Sequence, residues 1–210
     1  MNPTTKTVHL FVLDTLADWE PGYAVARLNS PDFQTGQRRY TVDTVGTTTQ
    51  PVTTMGGVKI MPDTTLDRLR PADSAMLILP GADTWDEGKN MEAVEKAREF
   101  LAAGIPVAAI CGATAGLARG GLLDDRQHTS NARDYLAATG YKGGKLYREE
   151  AAVTDRNVIT AAAMFPLDFA YHILRMLEVY PPATLDAWYG LFKTGDAAYF
   201  MQLQEAAGSA

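Results

Sequence analysis

The sequence predicts an α/β fold of three layers, a mostly parallel sheet with helices on both faces. Three observations carry this. Apolar runs of strand length, at Thr7–Leu13, Ala75–Leu79 and Ile105–Ile110, alternate with helical patterns. These runs are apolar almost throughout, as in strands covered on both faces, and not at every second position. The last of them enters Cys111, and small residues follow (Gly112, Ala113, Ala115, Gly116) that can open a helix. A small residue two places on either side of a nucleophile is the pattern of a nucleophile elbow, where the strand-to-helix turn is too sharp for bulky neighbours.

The elements follow in order. Thr7–Leu13 reads as a buried first strand, and Asp18-Trp19-Glu20-Pro21-Gly22 starts a helix with Asp18 as its cap. Arg39–Gly46 alternates like a second strand. Pro51–Met55 and Val58–Met61 flank Gly56-Gly57, a hairpin signal. Asp63–Leu69 reads as a short helix capped by Asp63. Ala75–Leu79 is a buried strand that ends in Pro80-Gly81-Ala82. Met91–Ala103 is an amphipathic helix with Met91, Val94, Ala97 and Leu101 on one face, closed by Gly104 and Pro106. The elbow helix stops at Gly120-Gly121. Asp124–Asn131 is a loop, and a helix begins at Asn131 or Ala132 and runs to about Thr139. Ala151–Thr154 and Val158–Ala161 pair across a turn at Asp155-Arg156-Asn157. Pro166 opens a strong helix as its first residue. Leu185–Phe192 and Ala197–Leu203 form two more, and Ala206–Ala210 is expected to fray. The whole of 1–210 reads as one domain, with 181–207 a C-terminal helical extension.

Composition narrows the function classes. A net charge of −6 argues against a nucleic-acid surface and does not favour an anionic membrane. No apolar run approaches the roughly 20 residues that a membrane helix needs. Val8–Leu13 is too short for a signal-peptide core, so a cytoplasmic location is the expectation. The single cysteine allows no internal disulfide, and no Cys/His spacing suggests a metal site. No cofactor motif is evident.

In a parallel sheet, ligands sit beyond the carboxyl ends of the strands. Three segments put chemistry there: Glu20 after the first strand, Gly81-Ala82 after the Ala75–Leu79 strand, and Cys111 at the elbow. A thiol at a helix N-terminus faces partial positive charge, which favours a thiolate. Thr114 could reach a ligand from the elbow helix or serve helix packing. Trp85, just past the Gly81 turn, is placed to wall the pocket. Among the histidines, His9 and His172 read as packed structural residues, and His128 is the candidate whose loop should fold near the elbow.

The stretches LADWEPGYAVA, LILPGADTW, VAAICGATAGLARGGLLDDRQHTSN and VITAAAMFPLDFAYHILRML together resemble the ThiJ/PfpI superfamily, a branch of the class I glutamine-amidotransferase-like fold. The tail WYGLFKTGDAAYFMQL is similar to a bacterial subgroup of amidotransferase-like and intracellular protease/amidase-like proteins. The resemblance implies a flavodoxin-like sheet, Cys111 as the elbow cysteine, and Glu20 as the acid that touches its sulfur. It implies that N–H groups of Gly112 and of the Gly81-Ala82 turn form an anion hole, and that the chain forms a homodimer. It also exposes departures. Protease-like relatives have a histidine directly after the cysteine, where this chain has Gly112. Others have one at the end of the segment matching His128–Asn131, where this chain has Asn131. The late His-x-Glu pair of glutaminases is absent, so glutaminase or peptidase chemistry lacks its general base.

Two functions follow. One is an enzyme in which Cys111 attacks a small electrophile and Glu20 moves the proton, with hydrolase/amidase, glyoxalase-like or hydratase outcomes. The other is a non-catalytic redox or stress protein whose Cys111 is oxidised reversibly. The partner is a small-molecule substrate in the first case and an oxidant in the second. In both, Glu20 is expected to be protonated against a Cys111 thiolate, the two titrating as a pair.

Overall fold

The first strand, β1 (Thr4–Phe11), buries Val8, Leu10 and Phe11 and pairs in parallel on both sides, with β2 (Arg38–Gly46) and with β6 (Met76–Leu79). The structure, a computed structural model, describes residues 4–30, 32, 34 and 38–208. Between β2 and β6 lie a small antiparallel hairpin, β3 (Val52–Thr53) with β4 (Lys59–Ile60), and a two-residue strand β5 (Thr64–Thr65) that adds to β2. β7 (Val107–Ile110) pairs with β6, β9 (Val158–Ala161) pairs with β7, and β8 (Ala152–Asp155) closes the far edge antiparallel to β9. The main sheet thus has seven strands in the order β5-β2-β1-β6-β7-β9-β8. β6, β7 and β9 are buried at every position, as central parallel strands should be, while edge strand β8 turns Thr154 to solvent.

Helices cover the sheet in two groups. α1 (Trp19–Asn29), α5 (Pro166–Met176), α6 (Pro182–Thr194) and α7 (Ala197–Gly208) pack in succession, with α5 against β7, β8 and β9. α2 (Met91–Ala102) and α3 (Gly112–Arg119) lie on β6 and β7, and the short α4 (Arg133–Ala137) follows α3. The expected three-layer α/β architecture is therefore the one observed.

Three local expectations need correction. Asp63–Leu69 is not a helix. The Asp63 carboxylate accepts the Thr44 N–H at 2.7 Å and its hydroxyl at 2.6 Å, which holds the segment extended, and β5 then adds to β2. Asp18 stands at the start of α1 but makes no cap bond. Its carboxylate instead receives the Thr54 hydroxyl at 2.6 Å and the Gly56 N–H at 2.7 Å, so it clasps the β3–β4 hairpin. In α2, Ala93, Val94, Ala97 and Phe100 are the buried residues, and the larger Phe100 takes the place expected for Leu101. At the C-terminus, α7 continues to Gly208, and the last two residues of the segment expected to fray lie outside the described residues.

Candidate functional site

The parallel order places four strand ends side by side. α1 follows β1, Gly81 follows β6, Cys111 follows β7 and Ala163 follows β9, and β1, β6, β7 and β9 are consecutive neighbours in the sheet. Chemistry carried by segments up to 144 residues apart thereby meets on one edge.

Cys111 sits between β7 and α3 with φ 57° and ψ −128°, outside the regions that L-residues prefer. The turn is tight on both sides. A Cβ at Gly112 would lie 3.0 Å from the Trp85 Cβ, and one at Gly116 would lie 2.4 Å from the Trp85 ring. One at Gly81 would come within 2.7 Å of the Cys111 Cβ and 2.8 Å of a Glu20 carboxyl oxygen. Glycine at 81 is thus required by close approach, not by its backbone angles.

Glu20 is 0% exposed. One carboxyl oxygen, Oε2, accepts the Gly81 N–H at 2.5 Å. The other, Oε1, is buried without a hydrogen-bond donor of regular geometry, and the Cys111 thiol is the group close enough to interact with the carboxyl. Burial pushes the Glu20 carboxyl up to about 7, against the pull of the Gly81 and Cys111 hydrogen bonds. Burial and the neighbouring carboxylate push the Cys111 thiol up to about 11, opposed by hydrogen bonds from Asn131 and the Gly112 N–H. Two groups in contact titrate as a pair, so between these values the pair holds one proton and one negative charge. With the proton on sulfur the S–H can donate to the carboxyl, and with the proton on Oε1 the O–H can donate to the sulfur, so either tautomer gives the buried oxygen a partner. The sulfur already receives the Asn131 Nδ2–H at 3.3 Å. The donors that face the sulfur, from Asn131 and the Gly112 N–H, stabilise negative charge there and so pull toward the tautomer with the proton on Glu20, against burial, which raises both groups. The helix N-terminus does not by itself lower the thiol below its ordinary value, contrary to the simple elbow argument.

The remaining candidates divide. Gly112 contributes its N–H to the sulfur. The Gly81 N–H is engaged by Glu20 and is not an open anion-hole donor, whereas no bond of the Ala82 N–H is seen among the described residues. Thr114 is fully buried, bonding the Cys111 carbonyl at 2.5 Å and the Ser130 hydroxyl at 2.6 Å, so it secures the elbow helix. Trp85 is 0% exposed, with its indole N–H on the Pro80 carbonyl at 2.9 Å. It supports the elbow from below and offers no surface to a ligand.

His128 is not brought to the sulfur. Its Nδ1 lies 2.8 Å from the Arg126 carbonyl and its Nε2 2.9 Å from the Tyr141 hydroxyl, so both ring nitrogens are taken. Burial lowers its pKa and keeps the ring neutral. His9 pairs with Ser74 and His172 with Thr154. Sequence reasoning noted Asn131 only as the residue standing where a histidine was sought, and it missed Tyr135. The Tyr135 hydroxyl donates to Asp86 at 2.5 Å, and the ring lies near enough to Cys111 for a charge there to raise its pKa. No spacing rule links Asp86, Tyr135 and Cys111, which only the fold brings together.

Comparison with known proteins agrees with this fold. Residues 6–176 match the DJ-1/PfpI family. The chain belongs to that family. It is 42% identical over 202 residues to the uncharacterized protease YoaZ of Bacillus subtilis, covering 95% of this chain and 96% of that one. The uncharacterized protease YdeA of the same organism is 32% identical over 185 residues, covering 86% and 88%. A thiJ/pfpI family protein from Bacillus anthracis superposes with a TM-score of 0.90 at 40% identity, covering 98% of this chain and 99% of that one. A DJ-1 superfamily protein from Agrobacterium tumefaciens gives 0.80 at 32% identity, covering 93% and 99%. No helix among the described residues is long and apolar enough to cross a membrane.

Proposed function

We propose that this DJ-1/PfpI family member is a cysteine-dependent enzyme acting on a small electrophilic carbon, hydrolase/amidase-like, with Cys111 as nucleophile and Glu20 as proton carrier. One observation carries the reading. A strained, part-exposed cysteine meets a fully buried carboxyl whose second oxygen has nothing to bond but the thiol. For an amide, the sulfur forms a bond to the carbonyl carbon and the C=O electron pair moves onto oxygen. The Ala82 N–H, for which no bond is seen among the described residues, is the donor available to that oxygen. Collapse expels the amine with the Glu20 proton. Water then attacks the thioester and returns a proton to Glu20, so the sum is amide plus water to acid plus amine. The relatives named as proteases are consistent with hydrolysis, although no histidine bonds the sulfur among the described residues.

The lack of that histidine favours a second reading, in which the sulfur is oxidised. The thiolate takes one oxygen from peroxide, and hydroxide leaves as water with the Glu20 proton. A panel of small amides and aldehydes assayed with Cys111→Ala tests the enzyme. Turnover lost in the variant supports it, and turnover that survives overturns it. Mass spectrometry after mild peroxide, with and without Glu20→Leu, tests the second reading, which falls if Cys111 is not oxidised in preference to the methionines. The homodimer and the cytoplasmic location rest on the resemblance and on composition. Exposed Phe192, Phe200 and Met201 supply apolar surface for self-association, which light scattering would measure.

A further inference from the structure

We propose that Asn131 is a third working member of the site, a fixed and non-titrating hydrogen-bond donor that holds the Cys111 sulfur in its anionic form and leaves all proton traffic to Glu20. The inference rests on the Cys111–Glu20 reading above and deepens it.

The argument begins with the orientation of one amide. Its Oδ1 accepts the Ala163 N–H at 2.9 Å, and its Nδ2 points to the Cys111 Sγ at 3.3 Å. A side-chain amide can be turned end for end, but here the Ala163 N–H decides the matter. Turned round, the NH2 would face a donor and the carbonyl oxygen would face an electron-rich sulfur. Ala163 is itself fixed, because its carbonyl accepts the Trp19 indole N–H at 3.3 Å. Trp19 precedes Glu20 at the start of α1. The contacts therefore close a circuit from the sulfur through Asn131, Ala163 and Trp19 to Glu20 and back. Trp19 is its solvent-facing member at 51% exposure. The circuit ties the ends of β1, β7 and β9 together around one atom.

An amide N–H neither gains nor loses a proton in the working range of pH. Asn131 therefore cannot serve as a general base, and a base such as histidine would compete with Glu20 for the proton. A donor stabilises negative charge on sulfur in the resting pair, and it stabilises equally an oxygen added to that sulfur. The site is thus built with one titrating partner and two permanent donors, Asn131 and the Gly112 N–H.

Asn131→Asp is the sharpest test, because it keeps the oxygen that accepts Ala163 and replaces only the donor that faces sulfur. The readout is the pH profile of Cys111 alkylation by iodoacetamide, a neutral reagent, with thermal melting to monitor the fold. Replacing a donor by a like charge is expected to raise the midpoint by about one unit or more, roughly a tenfold slower reaction at pH 7. Asn131→Ala, which removes the donor without adding charge, is expected to shift it the same way by less. If Asn131→Asp does not fold, Asn131→Ala decides the question. Profiles that coincide with the parent in the folded variants overturn the inference. Glu20→Gln, measured in parallel, separates the two claims. A profile that moves with Asn131 but ignores Glu20 refutes the pair and leaves Asn131 standing. One that moves with Glu20 but ignores Asn131 does the reverse.

Discussion

Glu20 and His128 are both 0% exposed and both polar, yet they are opposite kinds of residue. His128 has each ring nitrogen matched, to Arg126 and to Tyr141, and aromatic rings of Tyr141 and Tyr147 edge-on at 5.3 and 5.8 Å. Burial costs it little because every polar atom is paired. Glu20 has one oxygen matched and the other bare except for a thiol, and its carboxyl is pushed up to about 7 as a result. Burial with complete pairing marks a structural group. Burial with incomplete pairing beside a strained nucleophile marks a group held ready for a proton. Residue type alone would have ranked the two the other way, since histidine is the commoner base.

The comparison can be broken most forcefully through stability. The folded value of Glu20, about 7, lies above its ordinary 4.5. Between the two, the folded chain keeps a proton that the unfolded chain has released. Stability should therefore fall as pH rises from 4.5 to about 7, by roughly 3 kcal/mol, and Glu20→Gln should abolish that fall. Parallel denaturation curves for parent and variant across this range would contradict the unpaired state of Glu20.

Gly81→Ala should come next. Its new Cβ meets the Cys111 Cβ and both Glu20 oxygens inside 3.0 Å, so the pair must be forced apart. We expect about 1–3 kcal/mol of lost stability, from overpacking, together with slower Cys111 labelling. His128→Gln should cost about 1–2 kcal/mol through the unpaired Tyr141 hydroxyl and Arg126 carbonyl, with the pH midpoint of Cys111 labelling unmoved. A shifted midpoint would mean that His128 acts on the sulfur after all. Asp18→Ala should be the smallest change, about 1 kcal/mol, loosening the β3–β4 hairpin that its carboxylate clasps. An unaltered rate of proteolysis at Gly56-Gly57 would count against that role.

Much of this was legible in the sequence because local signals agreed with the fold. The apolar runs, the small residues around Cys111 and the Pro166 helix start each mean one thing in isolation and the same thing in context. Asp63 and Asp18 misled because a carboxylate before a helical pattern reads as a cap, while both were recruited by backbone N–H groups of distant segments. Burial explains the Trp85 result. A tryptophan after a Gly turn can wall a pocket or fill the space that Gly112 and Gly116 leave, and only packing shows which. Asn131 and Tyr135 were illegible for a further reason. Their roles depend on Ala163 and Asp86, 32 and 49 residues away, and on which end of an amide faces the sulfur.

The central claim is that Cys111 and Glu20 share one proton. The pH dependence of Cys111 alkylation, compared between the parent chain and Glu20→Gln, tests it most directly. The account predicts a rise through about 7 in the parent, set by the pair, that is absent in the variant, whose thiol ionises alone at higher pH. A single rise at the pH of an isolated thiol in both proteins would contradict it.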